Sequence, residues 1–427
     1  MLKSAPESLL TVLSNVQPYF EENIIRDFKD FNERRTRRPP SFLDIPNVLT
    51  VHESESRLMK NIKLMKQPNF KIQSVELCMK QLYLKVSLEI EQVLVEAQYE
   101  MFNNESKPTE KYNETGNLIF DIENLQINSI IPIYVQEDSF MANENFSMSL
   151  KPSKITTRKS SNIDGKVESS ESVDTDIEKS LINSIWSGFS ETISFLIRQD
   201  LGASIVEYSV TELFADEPEE MIEFSNKRIA VASKVMNAIL QKAVVPTEAM
   251  VIKLPELNLS YKSTSTLKIT MVCLQDPELL NLGSIQPLGT YCITEENERA
   301  ISVSGGINIR NLTINFTNCW ASCDGIVTTG NCKYVVYRTK LLLKILFEKK
   351  DKKLCAKLDK VQLCWIRDTE CDFNDLLSVN DIQDELTSYI EAFLLGELQP
   401  LITSYLKEHF EGILKKYKVN EDIKDIV

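Results

Sequence analysis

Histidine and glycine are scarce in this chain. Only His52 and His409 are present among 427 residues. Imidazole is the side chain that most readily serves as base or metal ligand near neutral pH. A catalytic dyad or zinc-hydrolase centre therefore has little to be built from. The 12 glycines fall well below the usual share of about 7%, so phosphate-cradling loops are rare. Gly325-x4-Gly330 copies the opening of such a loop, but Asn331 and Cys332 stand where Lys and Ser or Thr are required. No Gly-x-Ser-x-Gly nucleophile elbow occurs. Neither an enzyme nor a cofactor is expected.

Two further shortages narrow the class. No apolar run approaches the roughly 18 residues of a spanning helix, and the longest cluster, Leu341 to Phe347, is interrupted by Lys344. No transmembrane segment is expected. Positive charge is also in deficit, with 48 Lys and Arg against 62 Asp and Glu and a net charge of −14. Binding nucleic acid or anionic membranes needs clustered Lys and Arg, so no nucleic-acid partner is expected. The densest basic patch, Arg34, Arg35, Arg37 and Arg38, abuts Pro39 and Pro40 and reads as a solvated linker. The acidic run Asp216, Glu217, Glu219 and Glu220 reads as a solvated junction.

What the chain does have is internal repetition. Residues 43–48 (Leu-Asp-Ile-Pro-Asn-Val) and 252–257 (Ile-Lys-Leu-Pro-Glu-Leu) share one apolar–charged–apolar–Pro–polar–apolar pattern, with Pro46 and Pro255 offset by 209. The same offset carries Leu181, Ile185, Phe189, Ile193, Ile197, Leu201 and Ile205 onto Ile390, Leu394, Leu398, Ile402, Leu406, Phe410 and Leu414. Every pair is apolar, as two helices in one phase would be. The expected organisation is two repeats, 1–215 and 216–427.

Each repeat opens on a helical pattern. In the first, Leu9, Leu13, Val16, Phe20 and Ile24 keep helical spacing, with Pro18 expected to kink or split the helix. In the second, Pro218, Glu219 and Glu220 start a helix that runs through Leu240 and stops before Pro246. The period then changes to two. Leu82 to Ile90 alternate, the phase moves to Val93 to Tyr99, and a bulge or bend is expected near Glu91 and Gln92. Leu118 to Ile122, Leu125 to Val135 and Phe146 to Leu150 follow. The second repeat answers with Leu257 to Tyr261, Leu267 to Cys273, Ile301 to Ile309, Leu312 to Phe316 and Val361 to Trp365. Residues 152–176 lack apolar periodicity and read as a mobile loop. A sheet with one apolar face needs a cover, and the long C-terminal helix of each repeat supplies it. The expected class is α+β: two tandem curved antiparallel sheets (super-roll barrels), each wrapped around a long C-terminal helix.

This layout resembles the tubular lipid-binding superfamily, which includes insect takeout and juvenile-hormone-binding proteins, mite group-seven allergens and two-barrel bactericidal/permeability-increasing proteins. The likeness rests on Leu43 to Val48 with Ile252 to Leu257, on Gly116-Asn-Leu-Ile-Phe-Asp-Ile followed by Ile130-Ile-Pro-Ile, and on the two long terminal helices. The paired cysteines of takeout proteins near the mature N-terminus have no counterpart, since the first cysteine is Cys78. The resemblance implies binding and transport of hydrophobic small molecules or lipids in apolar tunnels. Two alternatives stay open: surface recognition of lipid aggregates or microbial lipopolysaccharide, and a structural protein with filled barrels. The candidate lining is Leu84, Val86, Leu88, Phe120 and Ile122 on the first sheet, with Ile185, Phe189 and Ile193 on its helix. In the second repeat it is Val303, Ile307, Ile309 and Ile314, with Leu394, Leu398 and Ile402.

Eight of the nine cysteines follow residue 272: Cys273, Cys292, Cys319, Cys323, Cys332, Cys355, Cys364 and Cys371. Up to four disulfides formed in an oxidising compartment is one reading. Buried free thiols, or a metal at Cys319, Cys323 and Cys332, are the others. Cys78 is expected to be a buried thiol. Asn-x-Ser/Thr sequons at Asn104, Asn113, Asn145, Asn258, Asn311 and Asn315 favour secretion. The start Met1-Leu-Lys-Ser-Ala-Pro-Glu-Ser shows no signal-like segment, which a mature or truncated start would reconcile; the expected location is secreted, with cytoplasmic as the alternative.

Overall fold

The computed structural model describes residues 7–37, 44–45, 47–51, 55–103, 114–146, 148–163, 166–170, 175–215, 218–244, 251–254, 259–263, 270–297, 300–323, 326–350, 353–376 and 383–417. The expected strand at Leu257, the stretch Leu267 to Ile269, and both repeat prolines, Pro46 and Pro255, lie outside them. The first half opens with helix α1 (Glu7–Arg37). Three strands follow, β1 (Asp44–Ile45), β2 (Val48–Val51) and β3 (Glu55–Leu64), then β4 (Lys71–Cys78), β5 (Tyr83–Asn103) and β6 (Glu114–Gln136). Shorter strands β7 (Ser139–Ala142), β8 (Met148–Lys151), β9 (Lys154–Ile163) and β10 (Lys166–Ser170) lead to α2 (Thr175–Val206) and the single turn α3 (Val210–Leu213). The second half runs α4 (Pro218–Ala243), β11 (Ile252–Lys253), β12 (Leu259–Ser263), β13 (Thr270–Leu280), β14 (Ile285–Asn297) and β15 (Ala300–Ile309). It continues with β16 (Leu312–Cys323), β17 (Ile326–Lys350), β18 (Lys353–Asn374), α5 (Gln383–Phe393), a π turn (Leu394–Leu398) and α6 (Gln399–Lys416).

The helices obey the 209-residue offset. Shifting α2 by that amount lands within one residue of the ends of the α5–α6 rod, and α4 falls inside the shifted α1. Pro18 does not split α1. It removes the hydrogen bond to the Ser14 carbonyl, but both residues are exposed, so water can satisfy that group. Arg34, Arg35 and Arg37 are the last turn of α1 rather than linker, where cations suit the negative helix end. Glu219 and Glu220 likewise belong to the first turn of α4 rather than to a free junction.

All pairings within the two sheets are antiparallel. The first sheet follows β1-β3-β5-β6-β9-β10, with β2 beside β3, β4 beside β5, and β7 and β8 beside β6. The second follows β11-β13-β16-β17-β15-β14, with β12 beside β13 and β18 beside β17. The expected loop at 152–176 is instead largely the β9–β10 hairpin. Its backbone is satisfied by pairing with β6 from Thr115–Asn162 to Glu123–Lys154, so the strand needs no apolar alternation of its own. The bend expected near Glu91 is present, and both strands share it. β5 and β6 keep one register throughout, omitting only the Glu91–Asn124 step, and Asn124 takes a φ of +47°. Burial switches there from Leu84, Val86, Leu88 and Ile90 to Val93, Val95, Ala97 and Tyr99.

The two apolar cores exchange residues. In the β2–β3 hairpin, Val48 pairs with Met59 and Leu49 with Leu58. The first pair joins the core of the first sheet; the second joins the core of the second sheet. Alternation on a strand makes this possible, since successive side chains leave opposite faces. Helix α4 divides itself in the same way. Met221 and Phe224 enter the first core, while Ala232, Val235, Met236 and Ile239 enter the second. Between these positions the buried Arg228 donates from one Nη2 to the Gln81 carbonyl at 2.9 Å and the Ile293 carbonyl at 3.1 Å, tying the sheets together.

Candidate functional site

The curved sheets place the sequence-derived lining residues indoors. On β5, Leu84, Val86 and Leu88 are buried, as are Phe120 and Ile122 on β6. They share one core with Phe189 and Ile193 of α2. The side chain of Ile185 lies outside the described residues. In the second half Val303, Ile307, Ile309 and Ile314 meet Leu394, Leu398 and Ile402 in one core, none more than 1% exposed. Helix α1, which the sequence did not mark as lining, also enters the first interior. Phe20 lies 5.1 Å from Phe140 and 4.9 Å from Tyr208, ring centre to ring centre. Tyr208 in turn donates a hydrogen bond to Asp27 on the same helix.

A helical stripe that repeats every four residues drifts about 40° per step around a regular α-helix. The stripe on α2 therefore winds around the rod, which suits a helix enclosed by a sheet. In the second half the π turn takes up part of that drift. It also marks a close approach: a Cβ on Gly396 would lie 1.9 Å from the Leu49 carbonyl oxygen, so β2 of the first half seats directly on this turn.

Open space is found between the sheets. One cleft of about 560 Å³ is bounded by β5, β6 and β8 on one side and by β14, β15, β17 and β18 on the other. A second, of about 320 Å³, continues it toward α2. Phe146, Met148 and Lys360 line both. Of the interior candidates, Val86 alone reaches either cleft. Lys85, Lys344 and Lys360 line the larger cleft and Arg198 the smaller. Lys85 pairs with Glu76 at 3.1 Å, Lys344 with Asp359 at 3.2 Å and Arg198 with Glu191 at 2.7 Å. Burial lowers the pKa of Lys360, and the neighbouring charges of Arg198 and Lys344 act in the same direction.

No protein-family model matches the chain, and no curated protein matches it. Among solved structures, Takeout 1 of Epiphyas postvittana is similar at 11% identity and a TM-score of 0.28, over 45% of this chain and 93% of that one. A lipopolysaccharide binding protein is similar at 11% identity and a TM-score of 0.23, over 93% of this chain and 90% of that one. Strand order and helix placement, rather than these overlaps, define the architecture. The fold is α+β: two tandem curved antiparallel sheets, each packed against a long C-terminal helix.

Most cysteines of the second super-roll whose side chains are described stand apart from one another. Among the described residues Cys78, Cys292, Cys319, Cys332, Cys355, Cys364 and Cys371 are free thiols, as the free-thiol reading expects. The register explains why. Cys273 faces Trp320, Cys319 faces Gly330, Cys371 faces Tyr334 and Cys292 faces Ser304. The nearest pair, Cys332 and Cys371, stand diagonally with sulfurs 3.7 Å apart, beyond the roughly 2.05 Å of a bond. Burial pushes the Cys292 thiol up to about 12 and those of Cys319 and Cys364 up to about 11. Cys78 is half-buried rather than enclosed. Asn145, one of the sequons, is only 5% exposed at the junction of the two halves, so a glycan has no room there.

Proposed function

We propose that the chain is a non-enzymatic binder and carrier of hydrophobic small molecules or lipids, built as two repeats, 1–215 and 216–427. The observation that carries this reading is that each sheet curls its apolar face around a long helix, concentrating apolar side chains on an enclosed axis. A guest entering that axis would be held by removal of its apolar surface from water, at about 25 cal/mol per Å². Its seats would be Leu84, Val86, Leu88, Phe120, Ile122, Ile185, Phe189 and Ile193 in the first roll. In the second they would be Val303, Ile307, Ile309, Ile314, Leu394, Leu398 and Ile402. Entry requires the side chains now in mutual contact to part, so affinity would be set partly by the cost of opening the core.

Native mass spectrometry of the full chain purified from its source tests this reading. The expected spectrum shows the chain with bound lipid or another apolar molecule, and the stripped chain takes up the same class from a lipid extract. A bare chain that takes up nothing from the extract overturns it in favour of filled, structural barrels. Capture of intact vesicles or lipopolysaccharide without uptake of single molecules would favour surface recognition instead. The same spectrum addresses compartment. Glycan mass on Asn311 or Asn315 would place the chain in the secretory route; its absence, together with the free thiols, supports a reducing compartment.

A further inference from the structure

The geometry points to a second binding site, in the continuous cleft between the two rolls, for an amphiphile with a carboxylate or phosphate head. The wide part of the cleft presents more apolar than polar surface, along Val86, Ile130, Pro132, Phe146, Met148 and Leu342. Its lysines Lys85 and Lys344 are held in ion pairs with Glu76 and Asp359. The narrow part is polar and carries Arg198, Lys360, Ser190 and Ser194, together with Glu191, whose carboxylate is taken up by Arg198 Nη1 at 2.7 Å. A tail in the first and a head in the second would match this division.

Three features at the narrow end call for an anion. The Lys360 ammonium lines both parts of the cleft, and among the described residues no hydrogen bond or ion pair holds it. Asp359, its neighbour in sequence, is taken by Lys344 at 3.2 Å. The buried Ser190 Oγ and Arg198 Nε also find no hydrogen-bond partner among the described residues. A buried polar group without a partner is costly, and a lysine and an arginine close together repel. One anionic head would answer all of these at once, accepting from the ammonium, the guanidinium Nε–H and the hydroxyl. Arg198 is already positioned for this. Its guanidinium is tethered to Glu191 and lies over the Phe146 ring, 5.4 Å from its centre. The chain is acidic as a whole, so this cleft selects by local contacts and not by long-range attraction.

The site shares only Val86 with the proposed interior seats, and its test is separable from theirs. The full chain is titrated with dansylaminoundecanoic acid and with its methyl ester, following dansyl fluorescence. Wild-type chain is expected to prefer the acid by about tenfold or more, the scale of a charge-assisted contact. Lys360→Met is expected to lose that preference while binding the ester as wild type does. Ser190→Ala, a small change, is expected to weaken the acid about threefold, as loss of one hydrogen bond would. Dodecyl phosphate and oleate should displace the probe, and inorganic phosphate should not. Equal binding of acid and ester by wild type overturns the proposal, as does a Lys360→Met chain that keeps the preference. Displacement by inorganic phosphate overturns the amphiphile in favour of a small-anion site. Uptake of the neutral probe N-phenylnaphthylamine, unchanged in Lys360→Met, reports on the roll interiors alone.

Discussion

In the first roll β5 runs unbroken from Tyr83 to Asn103, whereas in the second the same path along the neighbouring strand is cut at Arg310 and Asn311 into β15 and β16. Both serve one geometric need, a sharp change in which face of the strand is buried. The first roll meets it with matched irregularities on two strands, so the β5–β6 register survives. The second opens the ladder and repairs it with side chains. Thr339 Oγ1 accepts from the Ile309 amide at 2.8 Å, and Asn308 Oδ1 accepts from the Thr339 amide at 2.9 Å. The covering helices differ in the same sense: α2 is regular over 32 residues, while its counterpart is interrupted by the π turn. A repeated architecture thus tolerates different local solutions provided the burial pattern is kept, because burial of apolar area is the larger and less directional contribution.

The contrast between the two helices is open to direct attack. Gly396→Ala should be the most damaging change, since its Cβ would lie 1.9 Å from the Leu49 carbonyl oxygen. The expected loss is about 3 kcal/mol or more, read as a lowered urea midpoint. A tolerated alanine would mean that β2 does not seat on the π turn. A second contrast concerns the thiols, most of which lie in the second roll. Their folded-state pKa values are raised by burial, so the folded chain holds protons that the unfolded chain releases. The associated stability is present below the ordinary thiol value of 9.0 and is lost as pH rises toward about 12 at Cys292 and about 11 at Cys319 and Cys364. The melting temperature should therefore fall across that range. Exposed Cys355 should react with a maleimide in the native chain while the buried Cys292 and Cys319 wait for unfolding. Rapid native labelling of Cys292 would contradict its enclosure. The smallest effect is expected on the regular helix. Gly202 in α2 has nothing within 4 Å of an added Cβ, so Gly202→Ala should stabilise by about 0.5–1 kcal/mol. A destabilised Gly202→Ala chain would show that α2 is as tightly approached as its counterpart.

Much of this fold could be read directly from residue patterns. The 209-residue offset located the second rod, and the alternations at Leu84–Ile90 and Leu118–Ile122 located the inward faces, because burial leaves periodic traces. Elements without such traces were missed. The polar β9–β10 hairpin depends on the backbone of β6 for its place. β17 carries no clean alternation in its sequence, since Lys340 is buried on it while Ile326 and Val327 are exposed. The cleft was invisible for a different reason. Phe146 and Arg198 come from separate segments of the first roll, and Lys360 of the second joins them only where the rolls dock. The interior seats rest on alternation, which reveals an inward direction and says nothing of empty volume. The disulfide reading rested on an even count of cysteines, and a count does not bring sulfurs opposite one another: Cys332 and Cys371 lie near each other but stand diagonally across their strands.

The two-faced β2–β3 hairpin has a consequence for how such a chain can change. Leu49 and Leu58 are owed to one core and Val48 and Met59 to the other, so a four-residue strand is fastened to neighbours on both sides at once. With the two rolls trading groups in this way, neither can be trimmed off without leaving the survivor with a greasy wound. Divergence is then free to rework loops and edges, but the pair must be inherited as one piece.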